Sequence, residues 1–219
     1  MNSSIGIIGG ADGPTAIFVT GSVGQTVLTV FAALLAVLAL LVLAGRRRRR
    51  YLRLAPPGAV LVVLADQCVK ALTVGALAQG ETAPLLPGLL RLERVHNYGA
   101  AWSSFSGERW LLIAVTAVGL GALVYLAVRI VRHPLGVWAL WLVVGGGVGN
   151  LLDRVRLGYV VDMLAAEFIN FPVFNVADIF VTCGTVAAAV YYLAYYEKYD
   201  AKNWENANDG AHTADNGRG

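Results

Sequence analysis

The sequence predicts an all-α integral membrane fold: a core of four transmembrane helices, one extra N-terminal transmembrane helix and a small extracytoplasmic segment that contains β-structure. Of 219 residues, 57% are hydrophobic and only 14% are charged, whereas soluble domains carry about 25% charged residues. Residues 13–45, 110–128 and 134–152 each form a run of at least 19 residues without Asp, Glu, Lys or Arg, and about 20 apolar residues span a bilayer. The composition excludes soluble folds, DNA-binding modules and disordered regulators.

The first span covers residues 23–44 and ends at a block of five arginines. It is longer than the apolar core of a signal peptide and no basic region precedes it, so we expect a retained helix. The later spans are expected at residues 57–78, 110–128, 134–152 and 171–193.

Basic residues predict the orientation of these spans. In this arrangement, 11 Lys and Arg residues flank one side of the membrane and 5 flank the other. Because the richer side faces the cytoplasm, we expect the N-terminus outside and the C-terminus inside.

We divide the chain into an N-terminal extension (1–53), a membrane domain (54–196) and a polar tail (197–219) that we expect to be disordered. Residues 79–109 form an outer segment far longer than a turn requires, which is typical of a functional loop. Within it, residues 90–96 partly alternate apolar and charged side chains. This alternation predicts a short strand at the membrane surface.

Polar residues converge at one level of the membrane. At about 1.5 Å of rise per residue, Asp66 and Lys70 lie roughly 20 and 25 Å from the inner boundary, close to the outer face. Residues from the fourth and fifth spans and from two outer segments reach the same level. The converging residues are Asp66, Lys70, Asn97, Asn150, Asp153, Arg154, Asp162, Asn175 and Asp178. Because ionisable residues inside a membrane are costly, this set marks a candidate functional site.

Some of these residues also have a structural interpretation. Asp66 and Lys70 stand four positions apart and can form an ion pair that allows the helix to insert. Asp153 and Arg154 can form a clasp at a helix end. His96 is expected to be a surface loop residue rather than a general base.

Asp178 differs because residues 171–196 contain no Lys, Arg or His. A carboxylate without a basic partner would be neutral or would share a proton with another acid. Asp162 is the nearest acid in sequence, and two carboxyl groups that share a proton form the machinery of an aspartic protease. From spacing alone this pairing is one hypothesis among several. Cys68 and Cys183 lack metal-ligand spacing and are expected to be buried, and no metal is expected.

Four blocks resemble the signatures of bacterial signal peptidase II, the lipoprotein signal peptidase. They are DQCVK (66–70), NYGAAWS (97–103), GNLLDRVRLGYVVDML (149–164) and FNVADIF (174–180). The resemblance covers residues 57–196 and extends to the order and spacing of the blocks. It implies a multi-pass aspartic endopeptidase of the bacterial cell membrane that acts without a cofactor, near the extracytoplasmic face. Its substrates would be prolipoproteins, cut just before the lipid-modified cysteine.

The resemblance also implies the role of each polar residue. Asp162 and Asp178 would form the catalytic pair. The residues lining the substrate pocket would be Asn97, Asn150, Arg154 and Asn175, and the supporting residues would be Asp66, Lys70 and Asp153. Amide and guanidinium donors can hold a peptide backbone where water cannot. The expected partners are lipid-modified prolipoproteins and membrane lipid, with no nucleic acid.

The sequence departs from that family in several places. Trp102 stands where the family more often has Phe, and Ile179 where Ser is common, which affects substrate preference rather than the reaction. Residues 4–19, SIGIIGGADGPTAIFV, resemble a glycine-rich segment of the β subunit of sodium-pumping decarboxylases. The remainder of that subunit is not present in this sequence, so no transport activity is inferred.

Two other function classes remain as alternatives. Membrane carboxylates can serve an ion or proton carrier, but a relay would need polar groups across the whole bilayer. Residues 110–128 and 179–196 contain no Asp, Glu, Lys, Arg or His. A scaffold protein, the second alternative, would not require carboxylates inside the membrane.

Overall fold

The computed structural model describes residues 23–45, 51–99 and 107–201. In this part of the chain, five helices are long and apolar enough to cross a membrane. They are α1 (Val23–Gly45), α2 (Tyr51–Ala76), α3 (Arg109–Tyr125), α4 (Pro134–Leu157) and α5 (Val176–Ala194). A π-helical turn extends α3 over Leu126–Ile130, and another, Glu197–Ala201, follows α5. The chain is therefore a mostly helical, multi-pass membrane protein, as predicted.

The start of α2 differs from the expected one. The helix begins at Tyr51 rather than at residue 57, and Pro56 and Pro57 lie inside it. Proline lacks the backbone N–H that a helix interior requires, so it favours the first position of a helix. Here the buried ring of Tyr51 packs into the core, and the helix extends past both prolines.

Helix α4 packs against α2, α3 and α5, and glycines allow the closest of these contacts. A Cβ atom on Gly145 would lie 2.8 Å from the carbonyl oxygen of Ala59 in α2. A Cβ atom on Gly146 would overlap the carbonyl oxygen of Ala177 in α5. Since no side chain fits at such distances, these backbones approach more closely than larger residues allow. Polar side chains of three helices therefore come within hydrogen-bonding distance.

Three strands form an antiparallel sheet in the order β1 (Thr82–Leu86), β2 (Leu90–Asn97) and β3 (Val160–Ala166). Strand β2 confirms the strand expected at residues 90–96. Strand β3 was not predicted, because six of its seven residues are buried and its sequence shows no alternation of apolar and polar residues.

Helix α1 packs along α2 and reaches two other elements. The ring of Phe31 lies 6.5 Å from that of Phe180 in α5, in an edge-on arrangement. At the start of α1, a Cβ atom on Gly24 would lie 2.9 Å from the carbonyl oxygen of Pro84 in β1. The extra helix thus contacts both the bundle and the sheet.

The ordered chain continues beyond the expected start of the polar tail at residue 197. Asp200 is buried and accepts hydrogen bonds from the Tyr191 hydroxyl and, at 3.0 Å, from the backbone N–H of Arg132. These contacts tie the turn Glu197–Ala201 to the connection between α3 and α4. The rest of the expected tail lies outside the described residues, as do Trp102, residues 4–19 and the arginine block.

Candidate active site

Asn175 and Asp178 form the N-terminal cap of α5. Asn175 Oδ1 accepts a hydrogen bond from the Asp178 N–H at 3.0 Å, and Asp178 Oδ2 accepts one from the Asn175 N–H at 3.1 Å. This reciprocal capping box satisfies backbone donors that lack partners in the first turn of a helix. The helix therefore begins at Val176 rather than at residue 171, and Asp178 lies in its first turn.

Asp162 lies in β3, and both of its carboxylate oxygens accept amide hydrogen bonds. Asn175 Nδ2 donates to Oδ1 at 2.6 Å, and Asn97 Nδ2 donates to Oδ2 at 3.0 Å. Asn97 belongs to β2 and Asn175 to the start of α5, so the sheet and the helix bundle meet at this carboxylate. The Asn175 side chain donates to the Asp162 carboxylate, and the Asn175 backbone N–H donates to the Asp178 carboxylate. Asn175 thereby links the two acids.

Asn150 of α4 contacts the second acid. Its Nδ2 donates to Asp178 Oδ1 at 2.8 Å, while its Oδ1 accepts from Lys70 Nζ and from Asn175 Nδ2, both at 3.0 Å. Since two donors occupy the amide oxygen, the NH₂ group of Asn150 must face Asp178. Lys70 thus orients the NH₂ group of Asn150 towards Asp178, although Lys70 and Asp178 form no ion pair.

Lys70 is 3% exposed and forms two ion pairs. Its Nζ lies 2.8 Å from Asp66 Oδ2 and 2.8 Å from Asp153 Oδ2. The first pair confirms the sequence interpretation, but the clasp expected between Asp153 and Arg154 is wrong. Adjacent residues of a helix point in different directions, so Asp153 turns towards α2 and Arg154 does not. Asp66 Oδ1 also accepts from the Ala177 N–H at 3.0 Å, and the buried cluster therefore joins α2, α4 and α5.

Two residues at the site were missed in the sequence. Gln67 Nε2 donates to Asp153 Oδ1 at 3.0 Å and to Asp66 Oδ2 at 3.2 Å. The sequence did offer a signal for Gln67, because a polar side chain stands beside Asp66 in an otherwise apolar helix. Arg109, the first residue of α3, donates to the backbone carbonyl of Arg154 at 2.8 Å. A side chain that binds backbone leaves no pattern in the sequence.

A cavity of about 670 Å³ opens beside the two acids. Its polar lining includes Asn97, Asn150, Arg154, Asp162, Asn175 and Asp178. The other walls are largely apolar and include the segment from Phe171 to Phe174 and Ile179. A mostly apolar cavity with a few convergent polar groups is typical of a ligand site. The structure thus brings all six predicted catalytic and substrate-binding residues to one cavity, with the three supporting residues behind them.

The environment of Asp162 favours its protonated form. Burial, together with the negative charge of Asp178, raises the pKa of Asp162 to about 6 from an ordinary value of 3.8. Hydrogen bonds from Asn97 and Asn175, and the positive charge of Lys70, oppose this increase. Asp162 can therefore hold a proton at a pH where an exposed aspartate is fully ionised.

His96 belongs to strand β2 rather than to a surface loop, which corrects the expectation. Its ring stacks on Tyr159 with centroids 3.9 Å apart, and the residue lines the cavity. Burial and the charge of Arg94 lower the pKa of His96.

Within the part of the chain that the structure describes, no group of three or more His, Cys, Asp or Glu residues could hold a metal ion. Cys68 and Cys183 are free and exposed, so the expectation that both are buried is wrong. Each lies on a membrane-spanning helix. Apolar residues of such a helix can face the lipid as well as the packed interior, so an apolar sequence does not predict burial.

Known proteins resemble this chain over the same region. It is 40% identical over 136 residues to the lipoprotein signal peptidase of Streptococcus pyogenes serotype M6, covering 60% of this chain and 87% of that protein. The lipoprotein signal peptidase of serotype M5 is 39% identical with the same coverage. A bacterial membrane enzyme solved by the in meso method at 2.3 Å resolution superposes with a TM-score of 0.60 at 31% identity, covering 64% of this chain and 87% of that one.

The family described as Signal peptidase (SPase) II matches residues 58–194, which is more than half of the 219 residues. The match begins within α2, and it includes most of that helix, the sheet and every predicted site residue. The chain therefore belongs to the signal peptidase II family, a family of aspartic proteases.

Proposed function

We propose that this protein cleaves the signal peptides of diacylglyceryl-modified prolipoproteins just before the lipidated cysteine, with Asp162 and Asp178 as the catalytic pair. The observation that carries the proposal is that both carboxyl groups line one cavity and are linked through Asn175. Membership of the family and the similarity to lipoprotein signal peptidases support the substrate class.

The surroundings of the two acids suggest a division of roles. Asp162, with its raised pKa, carries the shared proton and donates it to the oxygen of the scissile carbonyl. Asp178 lies at the N-terminus of α5, where the helix dipole favours a negative charge, and it removes a proton from the attacking water. The water oxygen then bonds to the carbonyl carbon and gives a tetrahedral intermediate. When the C–N bond breaks, the proton gained by Asp178 passes to the leaving amine. A hydroxyl of the intermediate returns its proton to Asp162 as the new carboxyl group forms, and this restores the starting state of the pair.

The cavity lining fits a peptide in an extended form. Asn97, Asn150 and Arg154 present amide and guanidinium donors among apolar walls, where a peptide carbonyl has few water molecules to bind. We place the site near the extracytoplasmic face of the bacterial cytoplasmic membrane, so that the diacylglyceryl group of the substrate remains in the lipid during cleavage.

The alternative of an ion carrier is less well supported. Among the described residues, the buried charged side chains are Asp66, Lys70, Asp153 and Asp162 at the site and Asp200 at the opposite end of the bundle. No buried charged side chain in this part of the chain lies between the two groups. A relay across the membrane would require one.

The proposal is tested with the purified full-length protein in lipid nanodiscs and a lipidated precursor peptide. Mass spectrometry should detect cleavage immediately before the modified cysteine. The same peptide without the diacylglyceryl group should be cleaved far more slowly. Absence of cleavage by folded protein, or cleavage at a different bond, would refute the proposed function.

A further inference from the structure

We propose that Arg109 is a positioning residue for this cleavage: it fixes the last turn of α4, and a series of hydrogen bonds transmits that position to Asp162. The inference rests on the proposed function. It concerns a residue that does not itself line the cavity and does not contact the catalytic acids.

The Arg109 side chain holds the C-terminal end of α4 through two backbone carbonyls. Its Nε donates to Arg154 O at 2.8 Å, and its Nη2 donates to Val155 O at 2.7 Å. Carbonyls near the C-terminal end of a helix need donors from outside the regular helix, and a planar guanidinium can donate to two of them at once. The Arg154 carbonyl also accepts from the Gly158 N–H at 3.2 Å. The guanidinium carbon also lies 5.1 Å from the centre of the Trp110 ring, a cation–π contact.

The end of α4 leaves room for this contact. Gly158 ends the helix with φ of 87°, a left-handed conformation that favours glycine. A Cβ atom there would lie 3.4 Å from Arg109 Nη1, so the guanidinium packs in van der Waals contact with the helix end. The helix end and Arg109 thus fit together as a unit.

Three further hydrogen bonds lead from Arg154 to the acid. Arg154 Nη2 donates to Gly99 O at 2.8 Å, and the Gly99 N–H donates to Asn97 Oδ1 at 2.9 Å. Because its oxygen is occupied, Asn97 presents its NH₂ group to Asp162 Oδ2 at 3.0 Å. Each bond fixes the orientation of the next donor, and a shift at Arg109 should therefore weaken the last bond.

The effect on Asp162 has a predictable sign. The Asn97 hydrogen bond stabilises the ionised carboxylate and so lowers the pKa of Asp162. Charged groups also face this acid from the helices: Lys70 of α2, Arg154 of α4 and Asp178 of α5. If Arg109 is removed, the Asn97 bond weakens and Asp162 should keep its proton to a higher pH. A role confined to folding would leave that pH unchanged.

The experiment compares Arg109→Gln, Arg109→Lys and Asn97→Ala with wild type in nanodiscs, measuring kcat and kcat/KM for the lipidated peptide across pH. Arg91→Gln is the matched control, because Arg91 pairs with Glu93 on the partly exposed part of the sheet. We expect Arg109→Gln to lower kcat. The pH at which kcat/KM falls on the alkaline side should rise by about half a pH unit to one unit. Arg109→Lys should lie between this variant and wild type.

The double variant decides between transmission and independent effects. If Arg109 acts through Asn97, Arg109→Gln combined with Asn97→Ala should show the same alkaline decrease as Asn97→Ala alone. Additive shifts, or an Arg109→Gln variant with reduced kcat and an unmoved pH profile, would overturn the inference. If Arg109→Gln does not fold, Arg109→Lys provides the same test. Absence of cleavage by the wild type would instead refute the proposed function.

Discussion

The side chain of Asn175 donates to Asp162 across 2.6 Å, from a residue that also caps α5. One amide therefore serves two purposes, since its oxygen caps the helix and its nitrogen binds an acid in the sheet. These purposes can be separated by mutation.

We expect Asn175→Ser to lose cleavage while keeping the stability of the protein. Serine is as good a helix cap as asparagine, but it cannot supply the NH₂ group that binds Asp162. Asn175→Ala should lose cleavage and also about 1 kcal/mol of stability. Thermal unfolding in detergent together with the cleavage assay would measure both effects. Cleavage by Asn175→Ser at nearly the wild-type rate would show that the amide does not act on the acid.

Asp162→Asn and Asp178→Asn should each reduce cleavage by at least about 10²-fold, the lower range for a general acid or base. Both keep the shape of the side chain and should leave membrane insertion and substrate binding largely intact. Asp66→Asn is the matched control, because Asp153 remains to pair with Lys70, and it should retain measurable turnover. Nearly normal cleavage by either of the first two variants at equal protein level would contradict the mechanism.

The pH dependence of cleavage follows from Asp162. Its pKa is raised to about 6, so the proton that it donates is lost as the pH rises through that value. We expect kcat/KM, which reports on the free enzyme, to fall above about pH 6 with the slope of one proton. A decrease centred near pH 3.8, or no change between pH 5 and 9, would argue against a shared proton. Thermal unfolding over the same range controls for loss of structure.

Removing residues 2–45, with a start codon retained, should leave most of the peptidase activity. The described contacts of α1, including Phe31 with Phe180 and Gly24 with Pro84, lie outside the cavity lining. The deletion is assayed in membranes after its insertion has been verified. An inserted but inactive protein would mean that the extra helix helps to form the site.

The orientation prediction is that residue 4 lies outside the membrane and residue 212 lies in the cytoplasm. Cysteines introduced at these positions, in a variant without Cys68 and Cys183, should react differently with an impermeant thiol reagent applied to whole cells. Equal labelling of both positions would mean that the first apolar run is cleaved or does not span the membrane.

The sequence by itself determined the membrane class, the five spans and the set of polar residues near one face. Hydrophobicity over about 20 residues is a local property, and the bilayer acts on it directly. The resemblance of four short blocks then identified Asp162 and Asp178 as the acids of interest. None of these conclusions depends on how the helices pack.

Only the tertiary structure decided which polar groups bind one another. Lys70 pairs with Asp153 across 83 positions of sequence, whereas Asp153 forms no pair with its neighbour Arg154. The close approach of α4 to α2, which glycine allows, brings Lys70 and Asp153 together. Strand β3 was missed because a buried strand shows no alternation. The start of α5 was missed although Asn175 and Asp178 stand three positions apart, which is the local spacing of a capping box. That the Asn175 amide also reaches Asp162 in the sheet is decided only by the packing of the sheet against the bundle.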